Sequence, residues 1–302
     1  QADNGKSLYM LLGHSKPISS LAFNEAGTLL LTGSYDGSVK LWDLGVDHEV
    51  LTLSHPSGWL YGVAFSPDGK WLVTSGEDRT AVVWELGSGE KLRILTGHTD
   101  IVNSVSFSPD GNLLATSGAD QVVMVWDTRS WQVLHSLTGH GQNRTNVPPI
   151  RGVFELEFSP LCRDISRPCP LASAGHDGQL IIWDALSGKQ QAVYKEQEAG
   201  LMSLAFSPDG TRLVVGSASS GGGNSWATIL DATTGQILRT LPEASGWVWG
   251  VDFARDGRSL AALNFLGDGK VWNSDDGKEL VSLKGIQNGG YSIAFSPDGS
   301  LL

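Results

Sequence analysis

The sequence predicts an all-β fold of small antiparallel sheets repeated about an axis, and three observations predict it. A phenylalanine closes a short alternating run at Phe23, Phe65, Phe107, Phe158, Phe206, Phe253 and Phe295, at intervals of 42, 42, 51, 48, 47 and 42 residues. A fixed period of this size marks a repeat architecture. Ser-Pro-Asp-Gly follows the phenylalanine at 66–69, 108–111, 207–210 and 296–299, and decays to Asn-Glu-Ala-Gly at 24–27 and Ala-Arg-Asp-Gly at 254–257. No helical apolar period survives for ten residues, because 38 glycines among 302 residues interrupt it.

The second repeat shows the elements in order. A run at 60–65 (LYGVAF) enters the Ser66–Gly69 turn, 71–75 (WLVTS) leads to a turn at Glu77-Asp78-Arg79, and 81–85 (AVVWE) leads to Gly87-Ser88-Gly89 and 92–96 (LRILT). Each run is short, rich in β-branched and aromatic residues, and bounded by turn residues, so each reads as a strand. Pro presets φ at the second turn position, Asp bonds the backbone ahead of it, and Gly accepts positive φ. A lone sheet of four such strands would leave both faces apolar. Radial stacking against neighbours covers them.

The chain resembles the WD-repeat β-propeller family, residue by residue. The first repeat carries His14, Thr32, Asp36 and Trp42; the second His55, Thr74, Asp78 and Trp84; the third His98, Thr116, Asp120 and Trp126; the fourth His140, Ser173, Asp177 and Trp183. The hydroxyl residue stands four before the Asp and the Trp six after it in all four. The resemblance implies a seven-bladed propeller of four antiparallel strands per blade, covering 1–302 as one domain. It also implies a structural hydrogen-bonded chain in each blade from Trp to Ser/Thr, to His, to Asp. The regular turns are similar in style to bacterial members. The fifth repeat departs, with Leu230-Asp231 in place of Trp-Asp and an insert at 218–225; the sixth keeps Trp272 but lacks the His and the Asp spacing. These two repeats are expected to form the looser side of the ring.

Across the joined ends, Phe295 and Phe23 are only 30 positions apart. The last blade is therefore expected to be incomplete or closed from both termini, in a segment of a longer polypeptide; an eighth blade stays open.

The net charge of −11 and pI near 5.0, with Lys and Arg scattered singly, disfavour a nucleic-acid partner. No 18-residue apolar run spells a membrane span. Cys162 and Cys169 share one loop, which reads either as a disulfide in an oxidising, periplasmic or extracellular compartment or as two thiols in the cytoplasm. A zinc site is disfavoured, since no His lies within that loop. Asn143-Arg144-Thr145 is one glycosylation triplet, of the kind chance supplies.

No nucleophile elbow, phosphate loop, metal spacing or dinucleotide fingerprint is present, and Gly221-Gly222-Gly223 is followed by no Lys-Ser/Thr pair. Asp36, Asp78, Asp120 and Asp177 repeat once per blade, which marks them as structural rather than catalytic. The expectation is a non-enzymatic domain without cofactor or metal.

In the family, side chains six and four positions before the conserved Phe, and the residue just before the turn Asp, project toward the narrow face, where related domains hold partners. Here these are Trp59, Tyr61, Phe154, Met202, Trp247, Trp249 and Tyr291, with Tyr35, Glu77 and His176 before the Asp. Two similar phrases, SGWLYGVAF at 57–65 and SGWVWGVDF at 245–253, place aromatic pairs on opposite sides of the ring. An aromatic rim that captures a protein segment is the expected function of an interaction scaffold or sensor. The alternative is an architectural subunit of a larger, exported assembly, docking through fourth-repeat inserts at 141–152 and 161–170. An enzymatic propeller is the remote one.

Overall fold

The computed structural model describes residues 1–8, 10–46, 48–56, 58–141, 152–163, 167–195, 199–219, 227–241, 246–283 and 290–302. The Asn143 triplet, Gly221-Gly222-Gly223, residues 142–151 of the first insert and 164–166 of the second lie outside these residues.

Among the described residues, twenty-four strands form six sheets. The first sheet holds β1 (Ile18–Phe23), β2 (Leu29–Ser34), β3 (Ser38–Asp43) and β4 (His48–Ser54). The second holds β5 (Leu60–Phe65), β6 (Trp71–Gly76), β7 (Ala81–Glu85) and β8 (Lys91–Leu95). The third holds β9 (Val102–Phe107), β10 (Leu113–Gly118), β11 (Val122–Asp127) and β12 (Gln132–Thr138). The fourth holds β13 (Val153–Phe158), β14 (Pro170–Gly175), β15 (Gln179–Asp184) and β16 (Lys189–Lys195). The fifth holds β17 (Ala199–Phe206), β18 (Arg212–Ser219), β19 (Ala227–Asp231) and β20 (Ile237–Thr240). The sixth holds β21 (Val248–Phe253), β22 (Ser259–Asn264), β23 (Gly269–Asn273) and β24 (Glu279–Leu283). Every sheet is a meander of sequential antiparallel strands, and the first strand of each lies beside the first strand of the next.

The turns form as their residues dictate. In the second sheet the Ser66 hydroxyl donates to Asp68 Oδ1 at 2.7 Å and accepts from Trp71 N at 2.9 Å, while Gly69 takes φ 68°. The core lies between sheets rather than within any one. Leu31 and Val39 of the first sheet interleave with Leu60 and Leu72 of the second, and the same pattern joins each later pair. A fully buried leucine at such a contact contributes about 1.5–3 kcal/mol, so each sheet draws stability from its neighbour.

The seven-bladed expectation is corrected: the described residues form six sheets. Residues 290–302 make no sheet, although they lie along β21 with Phe295 N–H donating to Asp252 Oδ2 at 2.7 Å. Ala2 N–H donates to Ser300 O at 3.0 Å, and among the described residues neither segment belongs to a sheet. The consequence falls on the first sheet. Leu60, Val102, Val153, Leu201 and Val248 are all 0% exposed, whereas the equivalent Ile18 is half-buried beside a cavity of about 780 Å³.

In the fifth sheet β17 is buried at every position. Arg212 ties it to the sixth through bonds to Asp275 Oδ1 at 3.0 Å and Gly257 O at 2.8 Å.

Candidate interaction face and blade networks

The six inner strands share a local irregularity that aims side chains at the axis. In each, the ladder shifts register across one residue, skipping Ser19, Tyr61, Asn103, Phe154, Met202 and Trp249. A bulge of this kind turns the skipped side chain out of the pleat. Three of the six are aromatic.

These rings meet others at one end of the axis. Tyr35 packs against Trp59, Tyr61 and Tyr291 at centroid distances of 5.2, 5.6 and 5.5 Å. Trp249 packs against Tyr291 at 5.3 Å, Phe154 at 6.2 Å, Trp247 at 6.2 Å and Phe265 at 6.4 Å. The rings thus form one connected cluster running from the first sheet to the fourth. Edge-on pairs such as Trp249–Tyr291 add about 0.5–1.5 kcal/mol beyond their burial.

Exposure divides the predicted residues. Trp59 is 41% exposed, and Tyr35, Tyr61, Phe154, Trp247, Trp249 and Tyr291 are half-buried. Met202 and His176 are buried at 3%, so neither offers a surface. Glu77 is exposed, and its Oε2 accepts the Trp59 N–H at 3.2 Å. Burial raises the Tyr35 phenol well above its usual range and, with help from the Glu77 charge, pushes Tyr61 up to about 12. Sequence reasoning missed Phe265 and Leu266, which are 46% and 62% exposed on this face. Phe265 stands seven before Trp272, as Tyr35 stands seven before Trp42. Counting from the Trp rather than from an Asp would have found it.

Beneath the rings lies a cavity of about 200 Å³, lined by Tyr61, Trp249 and Tyr291 and by Glu155, Glu157 and Asp252. Glu157 Oε2 accepts Phe206 N–H at 2.7 Å and Glu155 Oε1 accepts the Ser104 hydroxyl at 2.6 Å, so each stitches two sheets. Burial pushes Glu155 and Asp252 up to about 7 and Glu157 up to about 8, against the bonds that favour their ionised forms.

Each network joins strand residues of one sheet to a His and an Asp in the loops beside it. Trp42, Trp84, Trp126 and Trp183 donate their indole N–H to Thr32, Thr74, Thr116 and Ser173 at 2.9, 3.0, 3.0 and 2.8 Å. The hydroxyls of Thr32, Thr116 and Ser173 lie 2.8 Å from Nε2 of His14, His98 and His140, whose Nδ1 atoms face Asp36, Asp120 and Asp177 at 3.0–3.1 Å. In the second sheet His55 Nδ1 is 3.7 Å from Asp78 Oδ2. Burial acts upward on Asp36, Asp120 and Asp177, but hydrogen bonds from hydroxyl, imidazole and backbone N–H groups outweigh it and hold all three below the usual carboxylate range. Cys162 and Cys169 are joined by a disulfide, with Cα atoms 4.4 Å apart.

No three His, Cys, Asp or Glu among the described residues could hold a metal, and no helix there could cross a membrane. The arrangement defines a class: a ring of four-stranded sheets with internal polar networks and an aromatic end face.

The WD domain, G-beta repeat family matches at residues 5–43, 48–85, 89–127 and 188–221. The chain belongs to the WD-repeat family. It is 28% identical over 131 residues to WD repeat-containing protein SL1-17 of Schistosoma mansoni, a match covering 43% of this chain and 42% of the relative. It is 42% identical over 65 residues to the periodic tryptophan protein 2 homolog of Schizosaccharomyces pombe, covering 18% and 8%. It is also 42% identical over 77 residues to human WD repeat and SOCS box-containing protein 1, covering 24% and 18%. The matches thus span less than half the length of these relatives. All three are eukaryotic, so the bacterial style read from the turns finds no support.

Proposed function

We propose that this domain is a non-catalytic interaction scaffold that docks a segment of a partner protein on the aromatic end face. The carrying observation is the connected ring cluster, with Trp59, Phe265 and Leu266 left exposed around it. Large rings bury much apolar area at low entropic cost, which makes such clusters binding anchors. The once-per-blade carboxylates are bonded within their own networks, as Asp120 is by His98.

The test uses a displayed library of random 12-residue peptides selected against the whole chain. Selected peptides should bind a Trp59→Ala/Phe265→Ala double variant at least tenfold more weakly, at unchanged circular dichroism and melting temperature. Equal binding to a folded double variant refutes the reading.

A further inference from the structure

The cavity under the rings contains three carboxylates, and no Lys, Arg or His is among its lining residues. From β13 come Glu155 and Glu157 and from β21 Asp252; the facing residues are Ser20 of β1, Gly62 of β5, Ser104 of β9, Ser203 and Ala205 of β17, and Ser292 and Ala294 of the last segment. Hydrogen bonds from Ser104, Phe206 N–H and Phe295 N–H reach these carboxylates, but no cationic side chain lines the cavity. Three rings, Tyr61, Trp249 and Tyr291, line both this cavity and the aromatic face. The one charged side chain among the predicted rim residues is Glu77, acting on Tyr61. The chain as a whole carries −11.

We propose that the docked segment presents one basic side chain, arginine or lysine, that seats against Tyr61, Trp249 and Tyr291 at the mouth of this acidic cavity. The inference rests on the aromatic-face reading above. Ring faces attract cations, more strongly where water is excluded, and complementary charge favours a basic partner over an acidic one. No group of three candidate ligands among the described residues is placed to hold a metal. Burial keeps part of the carboxylate population neutral near pH 7, so an arriving cation favours ionisation and binding releases protons.

The peptides selected above supply the probe. Each basic residue in a selected peptide is replaced in turn by Gln, and binding is measured by calorimetry in buffers of different ionisation enthalpy. One basic position should account for at least a tenfold loss. Binding of the unaltered peptide should release protons at pH 7. Glu155→Gln, which keeps the shape and removes the charge, should weaken that peptide severalfold and reduce the release, with little effect on its Gln-substituted form. Peptides that need Trp59 and Phe265 but tolerate every basic-to-Gln change would overturn this proposal while leaving the docking face intact. Equal effects of Glu155→Gln on both peptide forms would also overturn it. Loss of the Trp59 and Phe265 dependence would instead sink the docking reading itself.

Discussion

Thr116→Val tests whether the blade networks stabilise the ring. Thr116 is 0% exposed; its hydroxyl accepts the Trp126 N–H at 3.0 Å and lies 2.8 Å from His98 Nε2. With a neutral imidazole, that hydroxyl donates to Nε2, and His98 Nδ1–H donates to Asp120. Valine keeps the shape but leaves the indole and Nε2 without partners. Each orphaned buried group costs about 1–3 kcal/mol, and the added methyl recovers about 0.8 kcal/mol. The expected net loss is about 1–5 kcal/mol. Thr116→Ser keeps the hydroxyl, loses one methyl, and should cost about 1 kcal/mol. Urea unfolding monitored by fluorescence supplies the comparison, and indole hydrogen exchange at Trp126 locates it. A valine variant no less stable than the serine variant refutes the reasoning. The sixth sheet shows what such a loss resembles, since Ala262 stands where the hydroxyl would be and Trp272 Nε1 has no partner among the described residues.

The buried carboxylates set a pH dependence. Glu157, raised from 4.5 to about 8, contributes stability that is fully present below pH 4.5 and lost as pH rises toward 8. Asp36, Asp120 and Asp177 act oppositely, their contribution being present above 3.8 and lost as pH falls. Stability should therefore peak in mildly acid solution. Glu157→Gln should flatten the decline between pH 5 and pH 8 by on the order of 2–4 kcal/mol, and parallel urea curves for variant and parent would count against it. The Cys162–Cys169 bond closes a loop with sequence separation 7, for which chain entropy gives about 2.5 kcal/mol. Cys162→Ser/Cys169→Ser should lower the urea midpoint accordingly, and thiol alkylation of the unreduced, denatured parent should fail.

Much of the architecture was legible because its causes are local. Ser66-Pro67-Asp68-Gly69 closes a turn through bonds within itself. The distances from Thr116 to Asp120 and on to Trp126 mark a strand, a turn and a strand whose register brings Thr116 and Trp126 together in one sheet. The rim was partly legible. Trp59 and Trp249 could be counted back from their phenylalanines, but Phe265 was hidden because Leu266 replaces the Asp that marks the position elsewhere. Met202 and His176 occupy rim positions in sequence and are nevertheless buried.

The chain's own pattern determined the repeating four-strand unit and the partners within it, because each depends on neighbours a few residues away along a ladder. Only the tertiary structure decided how many sheets form, which rings touch, and that Glu155, Glu157 and Asp252 share one cavity. Those outcomes depend on contacts between sheets whose residues lie far apart in the chain. No local periodicity encodes whether a sheet finds a covering neighbour, and among the described residues no sheet covers the half-buried Ile18 on its open side.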